Sequence, residues 1–238
     1  MRRRLGMLTP SSNTVLEPQT AAMLSGLPSV TAHFSRFRVT DISVTKASLD
    51  QFRPDTMVAA ASLLADAHVD AIVWNGTSGG WLGLEHDRAL CRAIADRLGT
   101  PSTTVTLALV RLLRQAGHRR IAFVTPYTRD VGQRILGTFT TEGFACVEVE
   151  PLGISDNFAF STVPENTLDR LVATAAAGRP DVIVPYCTNL PATAHVARWE
   201  AEHGIPVFDS VAVAVRGALD LIGSPCDALR AWGRLFAA

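Results

Sequence analysis

Residues 69–80 read VDAIVWNGTSGG, and residues 180–191 read PDVIVPYCTNLP. Both stretches follow one plan: an Asp, an apolar run rich in Val and Ile, two linking residues, then a short polar triplet. The triplet is Gly76-Thr77-Ser78 in the first copy and Cys187-Thr188-Asn189 in the second. A short apolar run bounded by turn residues reads as a buried strand feeding a loop. A chain that repeats this unit, and puts a thiol in one loop only, reads as two-lobed, with a site between the lobes and one-thiol chemistry.

The repetition extends outward from these stretches. RRLGMLTP (3–10) matches RRIAFVTP (119–126), and GTPSTTVTLALV (99–110) matches GIPVFDSVAVAV (204–215). The matches occur in the same order and only twice, which marks a duplication rather than a solenoid array. Strands are expected at 4–9, 30–37, 70–74, 102–105, 120–125, 145–151, 181–185 and 206–209. Helical apolar spacing covers 54–68, 85–98, 106–116, 129–142, 165–177, 190–203 and 211–222. Alternation of strand and helix implies parallel sheets covered on both faces. The expected fold is α/β, with two pseudo-symmetric lobes, each a parallel sheet flanked by helices, and an active site in the cleft between them. The first lobe takes residues 1–108 plus 216–238, and the second takes 109–215.

At 238 residues the chain is long enough for one large core or two small ones. Apolar residues make up 47% and charged residues 18%, the profile of an ordinary globular protein. Formal net charge is zero, which argues against broad attraction to nucleic acid or an anionic membrane surface. No apolar run approaches the roughly 20 residues of a membrane span. The segment after Arg2-Arg3-Arg4 is too short and polar for a signal peptide, so a cytoplasmic location is expected. The composition permits a homo-oligomer without requiring one. Cys91, Cys146, Cys187 and Cys226 are widely spaced and form no C-x-x-C pair, so free thiols and no zinc site are expected. Cys91 and Cys146 fall in helical and strand patterns and read as packing residues. Only Cys187 follows a buried strand directly.

Ligands of open parallel sheets bind beyond the carboxyl ends of the strands. Thr9–Thr14, Asn75–Ser78, Thr125–Thr128 and Cys187–Asn189 fall at such ends. Each runs toward a helix start and is rich in hydroxyls, which suits a carboxylate. Each could equally supply an N-cap, since Ser, Thr and Asn are preferred there. No glycine-rich nucleotide motif is present. His86 and His195 read as surface or interhelix residues. Trp81 reads as a pocket wall or a subunit contact, and Phe158 and Phe160 as pocket-lining or core residues.

On these residues the chain resembles the aspartate/glutamate racemase superfamily, in the branch holding arylmalonate decarboxylase and maleate cis–trans isomerase. TPSSNT (9–14) is similar to the isomerase loop. Gly76-Thr77-Ser78, the segment 102–131 and GRLF (233–236) are closer to the decarboxylase. The resemblance implies catalysis without a metal or organic cofactor, on a small dicarboxylate. Racemases and isomerases of this superfamily carry a cysteine at both symmetry-related strand ends; here the second is Cys187 and the first is replaced by Gly76. Thr77, Ser78 and Tyr127 match the dioxyanion hole of the decarboxylase, assisted by the backbone amides of Ser78 and Thr188. Asn13 and Asn157 instead match carboxylate-binding positions of maleate isomerase, which favours a smaller or more polar diacid.

The chemistry follows from the residue types. Loss of CO₂ from a malonate-type acid leaves an enediolate, which aimed donors stabilise. A thiol, protonated at neutral pH, can then deliver one proton to one face. Two-base racemisation needs a second group where Gly76 stands, and covalent isomerisation needs a nucleophilic thiolate. Decarboxylation is therefore the leading expectation. Isomerase or racemase activity is the runner-up, and a small-carboxylate binding protein that has lost one cysteine is the non-enzymatic alternative.

Overall fold

The computed structural model describes residues 2–237. The first half contains strands β1 (Arg3–Pro10), β2 (Val30–Phe37), β3 (Ala71–Trp74) and β4 (Ser102–Thr104). They are interspersed with helices α1 (Leu16–Leu24), α2 (Lys46–Asp50), α3 (Pro54–Asp66), α4 (Gly79–Leu82), α5 (Leu84–Leu98) and α6 (Val105–Gln115). The second half contains strands β5 (Arg120–Val124), β6 (Ala145–Val147) and β7 (Val182–Pro185). Its helices are α7 (Arg129–Thr141), α8 (Glu165–Ala177), α9 (Val196–His203) and α10 (Ser210–Leu221).

The two sheets repeat one topology. The first runs β2-β1-β3-β4 and the second β6-β5-β7, all parallel. Val207 adds a single parallel bridge to Ile183, at the place β4 holds in the first sheet. Central strands are buried on both faces, which is why they read as unbroken apolar runs. The duplicated Asp does the same work in each copy. Asp70 Oδ2 accepts from Arg4 N at 2.7 Å, and Asp181 Oδ2 accepts from Arg119 N and Arg120 N at 2.7 and 2.8 Å. These amide bonds are the main reason that both carboxyls lie below the usual Asp range.

Several elements differ from the expected ones for local reasons. Pairing at 206–209 shrinks to one bridge because Pro206 has no N–H and Asp209 already caps α10, accepting from Val211 and Ala212 N. β6 stops at Val147, and the chain beyond it bonds the loop after β5 instead: Leu152, Gly153 and Ile154 N–H donate to Thr125, Tyr127 and Pro126 carbonyls. The helix expected over 190–203 begins in earnest only at Val196, after a turn through Pro191 and a 3₁₀ turn at Thr193–His195. α1, α2 and α4 were not expected. α6 and α10 pack on one another, and α10 also lies against β3 and β4. Close approach there needs Gly217, where a Cβ would come within 2.8 Å of Ala108 Cβ. Among the described residues, no helix is long and apolar enough to cross a membrane.

Candidate active site

The carboxyl ends of β1, β3, β5 and β7 face one pocket, and the loops that leave them are tied together across the lobes. After β3, Asn75 fixes its turn by donating Nδ2–H to the Leu8 and Val73 carbonyls. After β7, the Tyr186 hydroxyl donates to the Thr77 carbonyl at 3.1 Å and pairs with Thr106 Oγ1 at 2.7 Å. Thr188 Oγ1 donates to the Asn75 carbonyl at 2.8 Å and accepts from Asn13 Nδ2 at 3.1 Å. Each of these side chains is buried, so its bonds are made in a low-dielectric interior and rigidify the junction.

Thr77, Ser78, Tyr127, Cys187 and Thr188 all line one pocket. Apolar side chains also line it: Val39, Ile42, Phe52, Trp74 and Trp81. Tyr127 OH and Thr77 Oγ1 lie 2.6 Å apart. Edge-on contacts to Trp81 and Phe160, with centroids at 5.2 and 5.3 Å, hold the Tyr127 ring in place.

Burial pushes the Cys187 thiol up to about 11, against the Tyr127 hydroxyl and the Asn189 and Leu190 amides, which favour the thiolate. The Asn189 N–H donates to Sγ at 3.4 Å. Burial, reinforced by the neighbouring Cys187, likewise raises the Tyr127 phenol well above its ordinary value. At neutral pH the pocket therefore holds a protonated thiol beside a protonated phenol: two donors, with no standing negative charge from either.

Gly76 lines the same pocket, but its place is shared with Trp74. A Cβ on Gly76 would fall 2.1 Å from Trp74 Cζ2 and 2.5 Å from Cε2. The indole Nε1–H donates to Ser78 Oγ at 3.0 Å.

The two asparagines singled out by sequence behave differently. Asn13 Oδ1 accepts from Val15 N and Leu16 N at 3.1 and 2.9 Å, and so binds the first turn of α1, while its amide nitrogen goes to Thr188. It does not line the pocket. Asn157 does line it, with Nδ2 donating to Ser12 Oγ at 2.7 Å. Asn189 clips the two loops together: Oδ1 accepts from Thr14 N, and Nδ2 donates to the Asn157 carbonyl at 2.6 Å.

Trp81 is a pocket wall; Phe160 is fully buried, and Phe158 is exposed. His86 Nε2 pairs with the Phe52 carbonyl and His195 lies 3.3 Å from Glu165; neither histidine lines the pocket itself. Sequence reasoning missed Trp74, Val39, Ile42 and Phe52. Trp74 carried a usable signal, being the last strand residue two places before a loop glycine. The other three lie in a stretch without periodicity. Among the described residues, no group of three or more His, Cys, Asp or Glu side chains is placed to hold a metal ion.

A family model described as arylmalonate decarboxylase matches residues 5–236. Maleate isomerase of Nocardia farcinica is 26% identical over 235 residues, covering 93% of this chain and 90% of the relative. Arylmalonate decarboxylase of Bordetella bronchiseptica is 31% identical over 156 residues, 65% of each chain. The solved structure of unliganded arylmalonate decarboxylase superposes with a TM-score of 0.82 at 27% identity, covering 98% of both chains. A cysteine-to-serine variant of N. farcinica maleate cis–trans isomerase, with a covalently bound succinylcysteine intermediate, has the same fold. Its TM-score is 0.90 at 24% identity, covering 99% of this chain and 98% of that one. The matched segment spans both sheets and every pocket loop, and the chain belongs to the arylmalonate decarboxylase family, in the Asp/Glu racemase-like fold.

Proposed function

We propose that the chain is a decarboxylase of malonate-type or other small dicarboxylic acids, its chemistry supplied by side chains and backbone amides. The observation that carries this reading is the lone buried thiol of Cys187, protonated at neutral pH, beside Tyr127 and Thr77 and with no counterpart at Gly76. One carboxylate of the substrate is held by the hydroxyls of Thr77, Ser78 and Tyr127 and by the backbone amides of Ser78 and Thr188. The other faces the apolar wall and leaves as CO₂. The C–C bond breaks with its electron pair passing into an enediolate on the retained carboxylate. Each donor aimed at that charge is worth about 3 kcal/mol of barrier. The Cys187 S–H bond then breaks, its proton forms the new C–H bond on the α-carbon, and water reprotonates the thiolate.

A thiol held near 11 suits an acid and not a standing nucleophile. The isomerase reading is favoured by Asn157 in the pocket and by the maleate isomerases among the relatives. Incubation of the purified chain with a panel of substituted malonates and with maleate separates the two. CO₂ release from a malonate is the expected result; fumarate formed from maleate without CO₂ would overturn the reading.

A further inference from the structure

Trp74 is 1% exposed and is locked from several sides. Its ring packs against Phe37 at 5.0 Å and Phe52 at 6.3 Å between centroids, and its Nε1–H donates to Ser78 Oγ. The ring atoms nearest Gly76 stand where a side chain of residue 76 would have to begin. Contacts of 2.1 to 2.8 Å between a Cβ and three indole atoms cannot be absorbed by small adjustments, because the ring's other neighbours are themselves buried aromatics.

The indole nitrogen is a donor only, so in this pair Ser78 Oγ acts as acceptor. A hydroxyl that accepts from Trp74 keeps its own proton for another partner. Among the described residues, no acceptor is paired with the Ser78 proton.

We propose that Trp74 is the positioning residue that holds position 76 to glycine and aims Ser78. Its indole occupies the volume of a side chain at residue 76, and its N–H turns the Ser78 proton toward the bound carboxylate. The inference rests on the reading of Cys187 as the only proton-transferring thiol. It adds that glycine at residue 76 is one half of a pair: a group introduced there works only if Trp74 is cut back as well.

Three variants test this: Gly76→Cys, Gly76→Cys with Trp74→Leu, and Trp74→Phe. The first readout is independent of turnover: the rate at which iodoacetamide alkylates the introduced thiol in the folded protein, followed by peptide mass spectrometry. It is expected to be at least tenfold faster in the double variant. The second is the enantiomeric composition of the acid formed from a prochiral disubstituted malonate. Gly76→Cys alone should still give one enantiomer, and the double variant both. Trp74→Phe removes the N–H together with the indole's outer ring atoms and leaves Gly76 in place; it should keep the single enantiomer while kcat falls about tenfold with little change in KM. A merely structural tryptophan would move melting temperature but not that split.

Equal alkylation with Trp74 intact, both enantiomers from Gly76→Cys alone, or full kcat in Trp74→Phe would each overturn the proposal. If Gly76→Cys does not fold, recovery of folding by Trp74→Leu supports the pairing, and failure to recover contradicts it. If no malonate releases CO₂ but the alkylation contrast holds, the decarboxylase reading fails and the Trp74–Gly76 pairing stands.

Discussion

Tyr127 OH and Thr77 Oγ1 meet at 2.6 Å, one from the loop after β5 and the other from the loop after β3. The bond joins the two copies of the duplicated unit at their shared pocket. One hydroxyl donates to the other, so one proton is free for a carboxylate entering the pocket and the second is released when this bond opens.

Removing one of these donors should lower activity much more than stability. Tyr127→Phe leaves a buried Thr77 hydroxyl without its partner, a loss of about 1 kcal/mol in folding. In kcat/KM the same change should cost about 100-fold, the scale set by loss of one aimed donor. Steady-state kinetics on a substituted malonate, beside a thermal melt, checks both numbers.

The pH dependence of turnover follows from the thiol. Burial sets Cys187 at about 11, and the proposed step needs the protonated form, so activity should be held through the neutral range and fall as pH rises toward that value. A kcat/KM profile with a thiol limb near neutrality would contradict the assignment of Cys187 as the acid.

Stability has its own pH signature at Asp209. This fully buried carboxyl caps α10 and accepts from the Thr193 hydroxyl, yet among the described residues its Oδ1 has no hydrogen-bond partner. Burial pushes it up to about 6 from an ordinary 3.8. The folded state thus favours the neutral form. The stabilisation is fully present below the ordinary value and is lost as pH rises through 6. The difference is about 3 kcal/mol. Asp209→Asn keeps an oxygen acceptor for the cap but cannot ionise. Melting temperatures at pH 4 and pH 7 should converge in the variant relative to the parent chain.

The α6–α10 contact gives a prediction remote from the pocket. Gly217→Ala places a methyl against Ala108 and should cost about 1–3 kcal/mol by overpacking. The midpoint of denaturant unfolding should drop, while kcat at low temperature changes little.

Much of the fold was legible because its strands are short apolar runs bounded by Asp, Gly and Pro, and because the two copies kept those boundary residues in order. Asp70 and Asp181 anchor equivalent corners, so the duplication in sequence became a duplication of sheets. α1 and α4 were not legible: Pro18 and the Gly79-Gly80 pair weaken local helical preference, and packing overrides it. In the pocket, the residues directly beyond strand ends—Thr77, Ser78, Tyr127, Cys187 and Thr188—converge because the sheet topology brings those ends together. What sequence could not show was competition for side chains in three dimensions. Asn13 is consumed by α1 and Thr188, and Trp74 turns its ring over a residue two places ahead.

The most direct measurement uses a prochiral disubstituted malonate in D₂O, with the parent chain and with Cys187→Ala. The parent chain should release one CO₂ per acid formed, place one deuteron on the α-carbon and give a single enantiomer; Cys187→Ala should lose at least 1,000-fold in rate, on the order expected for removal of an essential acid. Undiminished CO₂ release by Cys187→Ala, or a racemic deuterated product from the parent chain, would contradict delivery of the proton by one thiol from one face.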